Sequence, residues 1–191
     1  MNLHLGNGTV YLDGWINIDL VGALSNDPKN ADKLKRNKTT IDKYYKFSFR
    51  KNKGNNVTDA RMDVSNLQFK DDSADRILAV NLIDHLKKED FIDTLQEWKR
   101  VLKPWGELII DVDDRRKQAE VLTKAKTIEE IEWALRLIYC DHASVGRSHF
   151  WGYTPDYLKH ILSSVGFKHQ WTRTDYIVHD MSENFQICVH K

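Results

Sequence analysis

The stretch that decides the fold is LHLGNGTVYLDGWINID, residues 3–19. It contains two short apolar runs, and each ends in residues suited to a ligand: Gly6-Asn7-Gly8 follow the first run, and Asp19 closes the second. Glycines let the backbone approach a ligand closely, and open α/β sheets bind ligands at the carboxyl ends of their strands. The stretch therefore predicts an α/β sheet with a ligand site at the ends of its first two strands.

The rest of the chain alternates short apolar runs with longer segments of helical periodicity, which is typical of a mainly parallel sheet flanked by helices. Further strands are predicted at Thr58–Met62, Arg76–Val80 and Glu107–Val112, and a terminal antiparallel hairpin at Phe167–Arg173 and Asn184–His190. Helices are predicted at 88–102 and between Thr154-Pro155 and Gly166. Another helix is predicted to follow a capping box at Thr127–Glu130, with an apolar stripe of Ile128, Ile131, Leu135 and Ile138.

Composition places the chain among soluble globular proteins. Its 191 residues are 41% hydrophobic and 30% charged, which suits one domain covering residues 1–191. Cys140 and Cys188 lack metal-ligand spacing, so we expect buried thiols in a reducing compartment and no metal. The N-terminus has no signal-peptide pattern, and no apolar run reaches the ~20 residues of a membrane span. We therefore expect a cytoplasmic protein.

A basic segment interrupts this domain. Residues 29–53 carry ten Lys or Arg and two Asp, a local charge of +8 in a chain of net charge +1. Such asymmetry predicts an insertion, at about 26–54. It is either a solvated surface segment, which charge runs usually are, or a lid that attracts an anionic acceptor through its charge and its aromatic residues. Nucleic-acid binding through this segment is a less favoured alternative.

Three polar positions at successive strand ends together describe a nucleoside site. After the Gly-Asn-Gly loop, Asp19 can accept hydrogen bonds from both ribose hydroxyls, and Asp63, directly after the third predicted strand, can accept from the exocyclic amine of adenine. Each position alone also fits a turn or a helix cap. A dinucleotide fingerprint needs a third glycine where Tyr11 stands and an acidic residue about twenty residues on, whereas Asp19 lies eleven residues after Gly8.

These residues also carry a resemblance. LHLGNG and GWINID resemble the opening of a family of predicted class I S-adenosylmethionine-dependent methyltransferases, whose members begin with LHLGCG and GWINID. The resemblance continues through LQFKDDSAD (67–75), NLIDHL (81–86), WKRVLKPWG (98–106) and HFWGYTPDYLKHILSSVGF (149–167). It leaves out roughly residues 21–56 and 115–145. Asn7 replaces a Cys of the family, Asp84 replaces a Glu, and Trp105 replaces a turn Gly.

The resemblance implies a fold, a cofactor and a set of cofactor contacts. The fold is a three-layer α/β sandwich with a seven-stranded, mostly parallel sheet whose last strand is antiparallel. The cofactor is S-adenosyl-L-methionine. Its methionine part faces Gly6, Asn7 and Gly8, its ribose Asp19, its adenine Asp63 and Val64, and its sulfonium Asn81 and Leu82.

The sequence does not name the methyl acceptor. An activated sulfonium needs mainly alignment with the acceptor, and a base only where the acceptor arrives protonated. His85 and His149 are the candidates for that base or for acceptor binding, although each also fits a structural hydrogen bond. We expect a small metabolite or saccharide acceptor. A non-catalytic adenosyl-binding module is the alternative from another class, and the oligomeric state stays open.

Overall fold

A seven-stranded sheet forms the centre of the computed structural model, which describes residues 1–41, 43, 56–140, 142, 148–179 and 182–191. In spatial order its strands are β10 (Lys168–His179), β11 (Ser182–His190), β9 (Leu102–Asp113), β8 (Ala74–Val80), β1 (Asn2–Leu5), β3 (Ile16–Asp19) and β7 (Ala60–Arg61). The five strands from β9 to β7 are parallel, and β11 runs antiparallel to both β9 and β10. This confirms the predicted sheet, including the terminal hairpin.

Helices flank this sheet, and two short strand pairs lie outside it. The helices are α1 (Ala31–Asn37), α2 (Lys88–Val101), α3 (Arg115–Lys124), α4 (Ile128–Tyr139) and α5 (Pro155–Val165). The short pairs are β2 (Tyr11–Leu12) with β5 (Lys38–Thr39), and β4 (Ala23–Leu24) with β6 (Val57–Thr58). No helix in the described part of the chain is long and apolar enough to cross a membrane.

The two faces of the sheet are covered differently. Alternate side chains of a strand point to opposite faces, so neighbours such as Leu3 and His4 enter different layers. Leu3 and Leu5 join a large core with residues of α2 and α5, and its largest fully buried side chain is Trp98. On the other face, a smaller cluster joins residues of the segment that follows β1 to residues of β8, β9 and β11: Val10, Leu12, Trp15, Leu78, Val80, Ile109 and Cys188.

The helix ends follow the local signals of the sequence. Thr154 caps α5 with Pro155 in its first turn, and Gly166 ends it at a left-handed φ of 87°. The capping box of Thr127 and Glu130 is present at the start of α4. The stripe predicted behind that box does not form one buried face, because Ile128 and Leu135 are 67% and 39% exposed.

The third predicted strand is wrong as a single element. Thr58–Met62 divides into β6 and β7, which belong to different sheets, with Asp59 between them. The amide of Asp59 donates to the carbonyl of Asn17, and its carboxylate accepts from the amide of Asn17 and from Tyr11. These partners lie more than forty residues earlier in the chain, so local periodicity does not predict the break.

The described residues of the basic insertion form regular elements. A 3-10 turn at Pro28–Asn30 leads into α1, and β5 then pairs in parallel with β2. Lys38 adds a 2.9 Å ion pair to Asp13. The aromatic residues of the insertion, at positions 44, 45, 47 and 49, lie outside the described residues.

Candidate functional site

Four neighbouring parallel strands bring the predicted cofactor residues to one edge of the sheet. The strands β7, β3, β1 and β8 lie side by side, and their carboxyl ends face the same way. Asp63 follows the first, Asp19 closes the second, and the Gly6-Asn7-Gly8 loop and Asn81 follow the third and fourth. This edge is where an open α/β sheet binds ligands.

The loop after β1 adopts a backbone that favours glycine. Gly6 and Gly8 have φ angles of +61° and +49°, in the left-handed region. A Cβ atom at Gly6 would lie 2.6 Å from Cδ1 of Leu82, so Leu82 packs directly onto this glycine. A Cβ at Gly8 would meet no atom within 4 Å among the described residues. The loop therefore packs against the turn after β8 at Gly6 and is open at Gly8.

The buried side chain of Asn7 anchors this loop through hydrogen bonds. The side chain is 2% exposed, and its Nδ2 donates to the carbonyls of Val57 and Val10 at 2.8 and 3.2 Å. The backbone amide of Asn7 donates to the carbonyl of Ile18. Asn7 therefore holds the loop in place, and its buried side chain makes it a positioning residue.

Asp19 joins the loop to the next strand. Its half-buried carboxylate accepts from the amide of Gly8 at 2.9 Å and from the amide of Val21 at 3.2 Å, through different oxygens. A carboxylate has about four acceptor positions, so two further donors can be accommodated.

The loop after β7 lies beside Asp19, since the amide of Met62 donates to the carbonyl of Asp19 at 3.0 Å. Asp63 is exposed, and its Oδ1 accepts from the amide and the hydroxyl of Ser65. Val64 is buried, and its carbonyl accepts from the indole of Trp98 at 2.8 Å. The helix α2 thus fixes the loop predicted to hold adenine.

At the end of β8, Asn81 is held with a positive φ of 46°. Its Oδ1 accepts from Nδ2 of Asn184 at 2.8 Å, and the same nitrogen lies 2.7 Å from a carboxylate oxygen of the buried Asp111. Sequence reasoning missed Asp111 and Asn184. The signal for Asp111 was present, as a carboxylate within the apolar run of β9.

His85, in the turn after β8, and His149, 64 residues later in the chain, come together as a second group. Their ring centroids are 4.8 Å apart, and each Nδ1 lies 3.0 Å from a carbonyl oxygen, that of Ser148 for His85 and that of Ile138 for His149. Burial lowers the pKa of His149 from its ordinary value, as do the charge of Arg115 and the neighbouring His85, while Asp84 acts in the opposite direction.

Asp84 completes this second group and was missed by sequence reasoning. Its side chain is 1% exposed, and its Oδ2 lies 3.2 Å from Nε2 of His149 and 3.7 Å from the guanidinium of Arg115. Its carbonyl accepts from the amide of Phe150, which holds the 149–151 segment against the turn. The only signal was its position beside His85 in NLIDHL, a motif whose first two residues belong to the predicted cofactor edge.

Known proteins resemble this chain in part of its sequence and in its fold. Residues 22–110 match the model of a methyltransferase domain, a stretch that begins after Asp19 and ends within β9. No curated protein sequence matches the chain. The fold is that of solved S-adenosylmethionine-dependent methyltransferases, at low sequence identity.

Three of these structures illustrate the likeness, each aligned over 100% of this chain. One from Methanosarcina mazei is 16% identical with a TM-score of 0.57 over 91% of its own length. One from Mesorhizobium loti is 12% identical with a TM-score of 0.57 over 90%. One from Archaeoglobus fulgidus is 14% identical with a TM-score of 0.55 over 85%.

The residues at the sheet edge fit an adenosyl cofactor. Gly8 leaves open space in front of the loop, Asp19 retains acceptor positions, and Asp63 presents an exposed carboxylate one strand away. The spacing of adjacent parallel strands, about 5 Å, matches a ligand that lies across the strand ends.

Proposed function

We propose that this protein is an S-adenosylmethionine-dependent methyltransferase that binds its cofactor across the carboxyl ends of β8, β1, β3 and β7. The observation that carries the proposal is the joined pair of Gly8 and Asp19, with open space at Gly8 and acceptor positions left on Asp19. The matching methyltransferase domain model and the shared fold support it.

In this proposal each group of predicted residues contacts a different part of the cofactor. Gly6, Asn7 and Gly8 hold the methionine part, chiefly through the backbone, and Asp19 binds the ribose. Asp63 and Val64 border the adenine, and Asn81 and Leu82 lie near the sulfonium. The bound cofactor supplies a methyl group activated for in-line transfer. The chain contributes alignment and exclusion of water, the main requirements of such a displacement.

The acceptor side lies beyond Leu82, where the turn carrying His85 meets His149. Phe150 and Trp151, 53% and 38% exposed, stand beside this turn and offer an aromatic border. We propose a small metabolite or saccharide as acceptor, with an anionic group favoured by the basic insertion. The protein acts in the cytoplasm as a single methyltransferase domain in this proposal.

Calorimetric titration with S-adenosylhomocysteine tests the cofactor site. We expect binding and a rise in melting temperature with ligand concentration, since a ligand that binds the folded state stabilises it by mass action. Titrations that reach millimolar ligand without heat or stabilisation would remove the proposal.

Turnover is tested separately. S-adenosylmethionine and a library of hydroxyl- and amine-bearing metabolites and saccharides are incubated with the protein, and release of S-adenosylhomocysteine is measured. Binding of the product analogue without turnover of any acceptor would favour an adenosyl-binding module over an enzyme. Retention on nucleic acid, lost at moderate salt, would instead favour a role for the basic segment in nucleic-acid binding.

A further inference from the structure

The side chains of Asp84, His85 and His149 meet after the end of β8, and no hydrogen bond from the described residues satisfies the carboxylate of Asp84. Among the described residues, neither carboxylate oxygen of Asp84 has a hydrogen-bond partner, although its side chain is only 1% exposed. A carboxylate oxygen of Asp84, one ring nitrogen of His85 and one of His149 all lie within 4.8 Å of one another. A buried carboxylate of this kind is costly unless a cation balances it.

The hydrogen bonds of the two rings leave Nε2 of each histidine free to accept, and Nε2 of His149 faces this carboxylate. A carbonyl oxygen only accepts, so Nδ1 of His85, facing Ser148, and Nδ1 of His149, facing Ile138, both carry the ring hydrogen. In the neutral ring of His149, Nε2 then presents a lone pair, 3.2 Å from the Asp84 carboxylate. Two acceptors at this distance repel unless a cation lies between or beside them.

We propose that Asp84, His85 and His149 bind a divalent first-row transition-metal ion. In metal-ligating histidines, the N–H group of the second ring nitrogen characteristically donates a hydrogen bond to a carbonyl or carboxylate. Nδ1 of His85 and Nδ1 of His149 each face a carbonyl oxygen in this way. Bonds of about 2.1 Å place neighbouring ligand atoms about 3–4 Å apart. The pair of His149 and Asp84 has this spacing, at 3.2 Å, and all three ligand atoms lie within 4.8 Å of one another. Two imidazoles and one carboxylate suit Zn²⁺, Co²⁺, Mn²⁺ or Fe²⁺ better than Mg²⁺ or Ca²⁺, and three protein ligands leave coordination positions for water or substrate.

Among the described residues, Arg115 is a cation that lies near Asp84, and it does not replace the ion. Its guanidinium lies 3.7 Å from the carboxylate and donates instead to Gln118 and to the carbonyls of Leu137 and Trp151. The guanidinium therefore offsets part of the negative charge of Asp84 without donating a hydrogen bond to its carboxylate oxygens. The proposal departs from the expectation of no metal, which rested on cysteine spacing.

The ion also narrows the acceptor class, an extension that rests on the proposed methyltransferase function. A metal ion binds a hydroxyl oxygen and lowers its pKa, so the proton passes to solvent water. The oxygen then forms the bond to the methyl carbon as the carbon–sulfur bond breaks, leaving S-adenosylhomocysteine. The acceptor in this extension is a hydroxyl compound, such as a saccharide.

Metal binding is tested on the full-length protein after removal of metals with a chelator. Co²⁺ is titrated in with visible absorption as the readout, and Zn²⁺ and Mg²⁺ by calorimetry. We expect one equivalent of Co²⁺ to bind with the absorption of a nitrogen- and oxygen-ligated ion, Zn²⁺ to compete with it, and Mg²⁺ to bind far more weakly.

Variants separate the metal site from a purely structural network. Asp84→Asn preserves shape and can donate a hydrogen bond to His149, so we expect a folded protein whose Co²⁺ affinity falls about tenfold or more. His85→Gln should show the same loss. His160→Gln, an exposed histidine on α5, and His190→Gln, in the second cluster with Glu107 and Cys188, should bind Co²⁺ like the parent.

The results also distinguish this proposal from the cofactor proposal. Absence of Co²⁺ and Zn²⁺ binding at millimolar ion, or equal affinity in Asp84→Asn and the parent, overturns the metal site. S-adenosylhomocysteine binding to the metal-free protein is measured in parallel. The cofactor residues lie at the sheet edge and include none of the three metal ligands, so this binding should not require the ion. Metal binding without cofactor binding would leave the metal site standing and remove the methyltransferase proposal.

Discussion

The backbone amide of Gly8 donates a hydrogen bond to the carboxylate of Asp19, 2.9 Å away. This bond joins the loop after β1 to the end of the neighbouring strand β3. Asp19 therefore has two roles in the proposed site. It fixes the Gly6–Gly8 loop, and its remaining acceptor positions bind the ribose.

Two substitutions at Asp19 separate these roles. Asp19→Asn retains an oxygen that can accept from Gly8 but loses the charge, so we expect near-parent stability and weaker binding of S-adenosylhomocysteine. Asp19→Ala removes both, and should weaken binding by roughly 1–3 kcal/mol and also lower the free energy of unfolding. Calorimetry and urea unfolding measure the two effects. Asp93→Ala, an exposed position on α2, is the control. Equal affinity in all three variants would refute a ribose role.

Gly6 and Gly8 should respond differently to alanine. Both require a left-handed backbone, which costs an L-residue roughly 1–2 kcal/mol. Only at Gly6 does the new Cβ also collide with Leu82, at 2.6 Å. We expect Gly6→Ala to be the more destabilising variant in urea unfolding, with partial recovery in the double variant with Leu82→Ala. Without such recovery, the Leu82 contact is not the source of the loss.

Trp98→Phe tests how α2 positions the predicted adenine loop. The substitution keeps most of the buried volume but removes the indole donor, leaving the carbonyl of Val64 without its 2.8 Å partner. We expect a loss of about 1–3 kcal/mol in unfolding free energy and weaker binding of the adenosyl ligand. Trp105→Phe, at a 69% exposed position, should alter neither. Unchanged ligand affinity in Trp98→Phe would limit Trp98 to a core role.

His4 should make stability depend on pH. Burial lowers its pKa to about 4, against an ordinary 6.5, so between these values the unfolded chain binds more protons than the folded one. Stability is therefore complete above pH 6.5 and falls as the pH drops toward 4. His4→Asn should flatten this slope by up to about 1.4 kcal/mol per pH unit. Unfolding free energies at pH 4.5, 5.5 and 7 provide the check, and an unchanged slope would contradict it.

The basic insertion has a prediction that follows from its charge. Neutralising Lys35, Arg36, Arg50 and Lys51 together should raise the KM of an anionic acceptor and flatten its dependence on salt, since long-range attraction is screened by ions. Steady-state kinetics at low and high salt measure both. If the variant matches the parent under both conditions, the segment is a solvated surface insertion.

Local chemistry was sufficient to predict some parts of this molecule and not others. The ends of α5 were predictable because Thr154, Pro155 and Gly166 act within one turn of helix. The division of the third strand at Asp59 was not, because its partners Asn17 and Tyr11 are distant in sequence.

The same distinction applies within the site. The residues at strand ends could be placed together because parallel strands align their carboxyl ends. The group around Asp84 could not, since His149 reaches it only through the packing of a segment 65 residues later. The motif NLIDHL places a carboxylate beside a histidine, but it does not reveal that this carboxylate is buried without a hydrogen bond from the described residues.

The pairing of β2 with β5 has a consequence for the modularity of this chain. Tyr11 and Leu12 belong to the short connection between β1 and β3, and they pair with Lys38 and Thr39 of the basic insertion. Leu12 is fully buried in the smaller cluster on the second face of the sheet. The insertion therefore cannot be deleted or exchanged as an independent cassette. A shortened chain would lose the partner of the strand that follows the Gly6–Gly8 loop, and a graft into another protein would have to carry both segments together.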